Sequence, residues 1–384
     1  MPPKKGHRLF LILVAIAIVI KLSLFAFAVT HAPQSKFQPD TDSYIKTSQM
    51  LASRGAFAVN DERGGLVYKM FRTPGYPLFL ALFNGIMKVP LNGILLIQIA
   101  MTLLTAFIVY RTALEIDPKI APLSALIILL DPPITIFSLM ILTETFFMFI
   151  TSLFMLCFTL YLKRKEAVYL LLSALLLAFT AYVRPISYYL GFAVSVFIVY
   201  ALRKEELKKA FSHALIFVLV MYSLLGAWQL RNYAKCDNPA FSSLEASNLA
   251  GIGLIKSYER NKDPYTKDST PLGYYTSVSF RCLMSLMTRP GNLKYFQSDI
   301  LTAAGKALGY PWMVFWMAGF IWGLIKAKRN IYYQFLLFAT LYFITISICG
   351  AMWTVGERFR VPIMPFIAII SAYGWVSLRD SCRV

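Results

Sequence analysis

Apolar runs about as long as a bilayer is thick recur from one end of the chain to the other. That recurrence narrows the fold more than any other feature of the sequence. The runs are Leu9–Thr30, Leu91–Tyr110, Ile120–Leu130, Leu139–Leu162, Ala167–Val183, Tyr188–Leu202, Ala214–Leu230, Trp312–Ile325, Ile331–Cys349 and Val361–Leu378. A hydrocarbon core of roughly 30 Å is crossed by about 20 apolar residues in a helix, which satisfies its own backbone polar groups. The expectation is an all-α polytopic membrane protein of about ten transmembrane helices. A first outer loop of membrane-surface helices follows the first span, and a larger outer loop precedes the last three helices. Leu78–Met87 is apolar but too short to cross, so it is expected to lie on the surface or to re-enter.

Charge gives the orientation. Only 15% of residues are charged, mean hydropathy is +0.61, and the formal net charge is +19. In a soluble protein such a balance would suggest nucleic acid. Here no recognisable nucleic-acid module accompanies it, and basic clusters instead mark cytoplasmic loops. Clusters at 163–166, 203–209 and 326–329 then face the cytoplasm, as do both termini. The segments 31–77, 131–138, 184–187, 231–308 and 350–360 face outward. Lys4, Lys5 and Arg8 precede a first run without a clear small-residue cleavage site, which reads as an uncleaved helix. Lys21 interrupts that run, either snorkelling to an interface or facing an internal polar site. Of five cysteines, Cys157 and Cys349 lie in apolar runs and Cys382 near the C-terminus. Cys236 and Cys282 fall in the larger outer segment, where an oxidising compartment would permit a disulfide that spacing alone does not establish. His7, His31 and His213 are scattered, and no Cys/His cluster has zinc spacing.

The outer face collects charge. Asp40, Asp42, Arg72, Asp131, Glu144, Arg184, Arg231, Glu357, Arg358 and Arg360 all fall at or near outer helix ends. Each alone marks where a helix meets water. Together, with both signs present and Glu144 inside a strong apolar run, they suggest a polar cavity, because unpaired charge in hydrocarbon costs several kcal/mol. The loop Phe37–Pro77 holds four of the nineteen acids, with Asp40 and Asp42 two residues apart. A carboxylate can act as general base on an acceptor hydroxyl or amine, and arginines clamp phosphate oxygens. Tyr44, Tyr76, Tyr182, Tyr188, Tyr189 and Trp228 can line a sugar or lipid path, or serve as interfacial belt residues. A base beside a phosphate clamp suits transfer of a sugar from a lipid phosphate to a nucleophile. An Asp-x-Asp pair could also hold a divalent cation.

Six short motifs occur in order. They are Pro39-Asp40-Thr41 with Tyr44, Arg72-Thr73-Pro74-Gly75-Tyr76-Pro77, Leu142-Thr143-Glu144-Thr145-Phe146-Phe147, Arg184-Pro185, Trp228-Gln229-Leu230-Arg231-Asn232-Tyr233, and Glu357-Arg358-Phe359-Arg360-Val361-Pro362. This set resembles the GT-C superfamily of membrane glycosyltransferases, in particular the branch of bacterial protein O-mannosyltransferases and the lipid A aminoarabinose transferase. The resemblance implies one GT-C-like transmembrane domain over residues 1–384, with a catalytic first outer loop at 31–77 and a large outer loop at 231–308. It implies a polyprenyl-phosphate-sugar donor, inversion at the anomeric carbon, and an acceptor that is an envelope glycolipid, a glycan or a protein. It also implies the bacterial inner membrane, with the active site on the periplasmic, extracytoplasmic face. The family's first-loop acid maps to Asp40, and Asp42 departs from the family pattern. Tyr44, Arg72, Tyr76, Glu144, Arg184, Arg231, Asn232, Arg358 and Arg360 map to substrate-binding positions. The alternative is a transporter or flippase of a lipid-linked glycan, which would more often show internal repeats and mid-membrane polar sites. No repeat is visible.

Overall fold

The computed structural model describes residues 4–61, 65–204, 206–243, 271–291, 293–327, 330–351 and 355–382. Among them, eight helices are long and apolar enough to cross a membrane, and a ninth span results if one bent helix pair is counted as a single crossing. The expected ten differ from this by Ala167–Val183, which is apolar but has only 17 residues. The protein is a multi-pass, predominantly helical membrane protein.

The first helix, α1 (Lys4–His31), is a peripheral span: only 11% of its most apolar window is buried against the rest of the protein. Lys21 is the exception. Its side chain is buried, and Nζ donates to Thr135 Oγ1 at 2.7 Å, which decides for the internal polar site over snorkelling. Thr135 lies on α6 (Pro132–Ser138), which meets α5 (Ala121–Leu130) at a 54° bend. Asp131 stands at that bend. Its carboxylate accepts from the Ile134 amide, as a helix N-cap does, and two prolines behind it forbid a straight continuation.

The centre of the bundle is α4 (Leu91–Ile116), α7 (Glu144–Arg164) and α15 (Met364–Ser381), whose apolar windows are the most buried of the spans. Around them pack α8 (Ala167–Val183), α9 (Leu190–Leu202), α10 (Leu207–Cys236), α12 (Asp299–Lys326) and α13 (Ile331–Ala351). The pair α12 and α15 meets through small residues. Gly319 and Gly323 on α12 face Gly374 on α15, and a Cβ on Gly374 would run into the Gly319 carbonyl oxygen. Apolar lipid tails supply no hydrophobic drive between such helices, so close backbone approach and dispersion must hold them together.

The first outer loop contains α2 (Thr41–Arg54), a hairpin of β1 (Ala58–Asn60) and β2 (Leu66–Tyr68), and α3 (Gly75–Leu80), which runs on into a π turn at Ala81–Ile86. Gly55 closes α2 in the left-handed region, φ 64°, with its amide on the Leu51 carbonyl. The hairpin was not expected of an all-helical loop. Its strands pair antiparallel, Val59 opposite Val67. Two strands of three residues are not stable alone; Arg231 on α10 holds them, donating to the carbonyls of Phe57 at 2.6 Å and Lys69 at 2.9 Å. The same guanidinium lies 4.8 Å from the Trp228 ring and also faces Phe57 and Tyr68.

The larger outer segment begins later than its polarity suggests, because α10 continues to Cys236, and it ends earlier, because α12 starts at Asp299. It includes α11 (Pro271–Thr288) and a 3-10 turn at Leu293–Phe296. The rest of this expected loop, at 244–270, lies outside the described residues, as do Lys328 and Arg329 of the basic cluster after α12. Among the described residues no cysteine, Cys236 and Cys282 included, is joined in a disulfide.

Candidate functional site

The site is built on the junction between α1 and α2. The loop that leaves α1 is pinned to the segment 139–143 in front of α7. The Ile141 amide donates to the Lys36 carbonyl at 2.9 Å, and the buried Thr41 hydroxyl donates to the Ile141 carbonyl at 3.0 Å. Asp40, the N-cap residue of α2, is thereby fixed where it shares an arginine with Glu144, the first residue of α7. The two carboxylates come from the first and third motifs and meet through Arg358 of the sixth.

Asp40 accepts two charge-assisted hydrogen bonds, from Arg72 Nη2 to Oδ1 at 2.6 Å and from Arg358 Nη2 to Oδ2 at 2.7 Å. Arg358 comes from α14 (Glu357–Arg360), the short turn ahead of α15. Its Nε donates to Glu144 Oε1, so one guanidinium bridges both acids. Arg184, in extended backbone just past α8, donates to the same Oε1 at 3.1 Å. Arg72 is steadied by Ser43 Oγ and the Tyr44 hydroxyl, and its guanidinium lies 4.9 Å from the Tyr44 ring. Three guanidinium groups face two carboxylates, leaving one net positive charge in the cluster.

Exposure grades through the site. Side-chain exposure is 32% for Arg358 and 27% for Asp40, but 0% for Glu144, whose Oε2 is buried with no hydrogen-bond partner among the described residues. Burial works against charge on Asp40, but the hydrogen bonds and charges of Arg358 and Arg72 outweigh it. Its carboxyl is held below the usual carboxylate range. Burial raises the Tyr44 hydroxyl, keeping it a neutral partner for Arg72.

Thus Asp40, Tyr44, Arg72, Glu144, Arg184 and Arg358 come together. Five other candidates do not join them. Asp42 turns away from Asp40 and pairs with Lys46 at 2.7 Å, with 71% of its side chain exposed. The Asp40 and Asp42 carboxylates therefore do not converge on a common cation, and among the described residues no group of three His, Cys, Asp or Glu does so. Tyr76 is fully buried beneath Tyr44, edge to face at 5.2 Å. Arg231 clamps the hairpin, and Asn232 donates to the carbonyls of Ala240 and Phe241. Arg360 is buried and donates to the carbonyls of Leu286, Met287 and Arg289, capping the C-terminal end of α11.

Two residues that the motifs do not single out touch the site's surroundings. Gln98, fully buried on α4, accepts from Tyr76 and donates to the carbonyls of Ser138 and Met140. An amide inside an apolar run was its available signal. Tyr295, on the 3-10 turn before α12, is half-buried. Burial and the charge of Glu357 raise its hydroxyl, and Arg358 and Glu144 also act on it. Within a long polar segment nothing distinguished it.

With this fold and cluster in view, the chain is a polytopic membrane protein with the GT-C fold. Residues 72–228 match the family described as dolichyl-phosphate-mannose-protein mannosyltransferase, a stretch that includes Arg72, Glu144 and Arg184. The fold is similar to archaeal oligosaccharyltransferase AglB from Archaeoglobus fulgidus, in complex with an inhibitory peptide and a dolichol-phosphate. Its TM-score is 0.58 and its identity 13%, over 99% of this chain and 51% of that chain. It is also similar to ArnT from Cupriavidus metallidurans in the apo state, with a TM-score of 0.59 and 13% identity, over 99% of this chain and 62% of that one. The chain thus spans about half the length of AglB. No curated protein sequence matches it.

Proposed function

We propose that the chain is a glycosyltransferase that moves a monosaccharide from a polyprenyl-phosphate donor to an envelope glycolipid, glycan or protein. It would act from the inner membrane on the extracytoplasmic face, as a single domain over 1–384 with the base carried by the 31–77 loop. The observation that carries this reading is Arg358 bridging Asp40 and Glu144 inside a cluster with net positive charge. A dolichol-phosphate accompanies the structurally similar AglB, which supports a lipid phosphate as the anion.

The chemistry follows from the pairing. A bound donor phosphate competes with Asp40 for Arg72 and Arg358, since phosphate and carboxylate both match the guanidinium fork. As these arginines turn to phosphate, Asp40 loses the contacts that keep its proton affinity low and becomes a better base. Arg358 stays anchored through Nε to Glu144, so it is redirected rather than released. The acceptor oxygen or nitrogen then attacks the anomeric carbon. The bond from that carbon to the phosphate oxygen breaks, and polyprenyl phosphate leaves with the electron pair. The acceptor's proton passes to Asp40, and the configuration inverts. Arg72, Arg184 and Arg358 stabilise the charge that builds on the leaving phosphate.

Binding of polyprenyl phosphate to the purified protein tests this reading. A hydrogen bond to a charged group contributes about 1.5–3 kcal/mol. Arg358→Gln and Arg184→Gln should each weaken binding roughly 10- to 100-fold. Unchanged affinity in both variants would remove the phosphate clamp.

A further inference from the structure

Gln98 sits within the membrane-spanning helix α4 with no exposed surface, where an unsatisfied amide would be expensive. All of its bonds are to the scaffold of the site. Its Nε2 donates to the Met140 carbonyl at 2.7 Å and to the Ser138 carbonyl at 3.0 Å, and its Oε1 accepts from the Tyr76 hydroxyl at 2.8 Å. Carbonyl oxygens only accept, so the amide has one workable orientation, and that orientation leaves Oε1 for Tyr76. The two sides it joins carry different halves of the charged cluster. Tyr76 belongs to the Arg72–Pro77 element that delivers Arg72. The segment 138–142 holds Asp40 through Ile141, by way of the Lys36 carbonyl and the Thr41 hydroxyl, and it leads directly into Glu144.

We propose that Gln98 is a positioning residue for this site, fixing the separation between Arg72 on one side and Asp40 with Glu144 on the other. The role rests on the glycosyl-transfer reading for its activity readout, but its structural readout stands apart from it. Gln98→Met keeps a similar volume and removes all three bonds. Tyr76→Phe removes one bond and leaves the amide on its two carbonyls. Gln98→Glu keeps the acceptor for Tyr76 and loses the donors.

Displacement of a catalytic group by about 1 Å can cost on the order of 100-fold in rate. In Gln98→Met, kcat per folded molecule should therefore fall roughly 10- to 100-fold, with a much smaller change in donor KM. Gln98→Glu should fall similarly, and Tyr76→Phe less. Hydrogen exchange should show the Ile141 amide losing protection in Gln98→Met, with the middle of α7 unchanged. A merely structural residue would lower the yield of folded protein and leave kcat per folded molecule alone; that result would overturn the proposal. Unchanged protection at Ile141 would overturn it equally. Should Gln98→Met fail to fold, the same two measurements on Tyr76→Phe decide, with a wild-type kcat and wild-type Ile141 protection counting against the role. Absence of transfer by the wild-type chain would instead defeat the glycosyl-transfer reading, while the exchange result still decides the role of Gln98.

Discussion

Asp40 and Asp42 differ by two residues and by almost everything else. Two steps along a helix of 3.6 residues per turn rotate a side chain by about 200°. Asp40 at the start of α2 therefore faces Arg72 and Arg358, while Asp42 in the first turn faces water and Lys46. Asp40→Asn should lower transfer roughly 100- to 10,000-fold, the range of a general base, while insertion and thermal stability hold; turnover close to wild type would remove Asp40 as the base. The pH dependence carries a sign. On the proposed reading transfer needs ionised Asp40; its carboxyl in the free protein lies below the usual range, so kcat/KM, which reports the free enzyme, should be lost only as pH falls through that depressed value. Among the described residues the charged and titratable groups acting on it are Arg72, Arg358 and Tyr44, with Glu144 beyond Arg358. Removing Arg358 raises the Asp40 carboxyl, so the acid limb of kcat/KM against pH should move upward in Arg358→Gln. A limb that does not move would separate Asp40 from the titration. At this scale the five clustered charges were legible because Asp40, Arg72, Arg184 and Arg358 fall at or near outer helix ends and Glu144 inside an apolar run. Arg231 and Arg360 gave the same signal and serve elsewhere. Sequence does not tell whether a guanidinium at a helix end meets carboxylates or, as these two do, backbone carbonyls.

At the scale of elements, backbone satisfaction explains what the motifs hid. Arg360 occupies the carbonyls at the end of α11 and lies 5.2 Å from the Trp316 ring. Arg360→Met leaves those carbonyls buried without donors, at about 1–3 kcal/mol each. It should lower thermal stability while polyprenyl phosphate affinity per folded molecule stays near wild type. Weakened affinity with intact stability would return Arg360 to the binding site. The contact of α12 with α15 allows a comparable test. Gly374→Ala forces a methyl against the Gly319 carbonyl, which is backbone and cannot rotate aside. Overpacking of this kind costs about 1–3 kcal/mol, so the melting temperature should fall. The hairpin was not legible, because three-residue strands leave no alternation to read and their support comes from Arg231, far along the chain. Gln98 was legible only as an oddity: its partners on α3 and before α7 appear once the chain is folded.

For the whole molecule, the recurrence of apolar runs made the helical, multi-pass character plain. The span count was harder. Asp131 and its prolines bend one crossing, and Ala167–Val183 sits at the lower limit of length. The orientation is open to a direct test in a cysteine-free background. A cysteine at exposed Gln49 on α2 should label from the extracytoplasmic side, and one at exposed Lys204 after α9 only from the cytoplasm; the reverse pattern would invert the topology. The central claim is that Asp40 and its arginines transfer one sugar from a lipid phosphate onto a cell-envelope molecule. Mass spectrometry of envelope lipids, glycans and proteins tests it most directly, comparing cells with the wild-type chain, with Asp40→Asn, and with none. The account predicts the same single monosaccharide missing from the same acceptor in the last two. An unchanged envelope without the chain, or full restoration by Asp40→Asn, would contradict it.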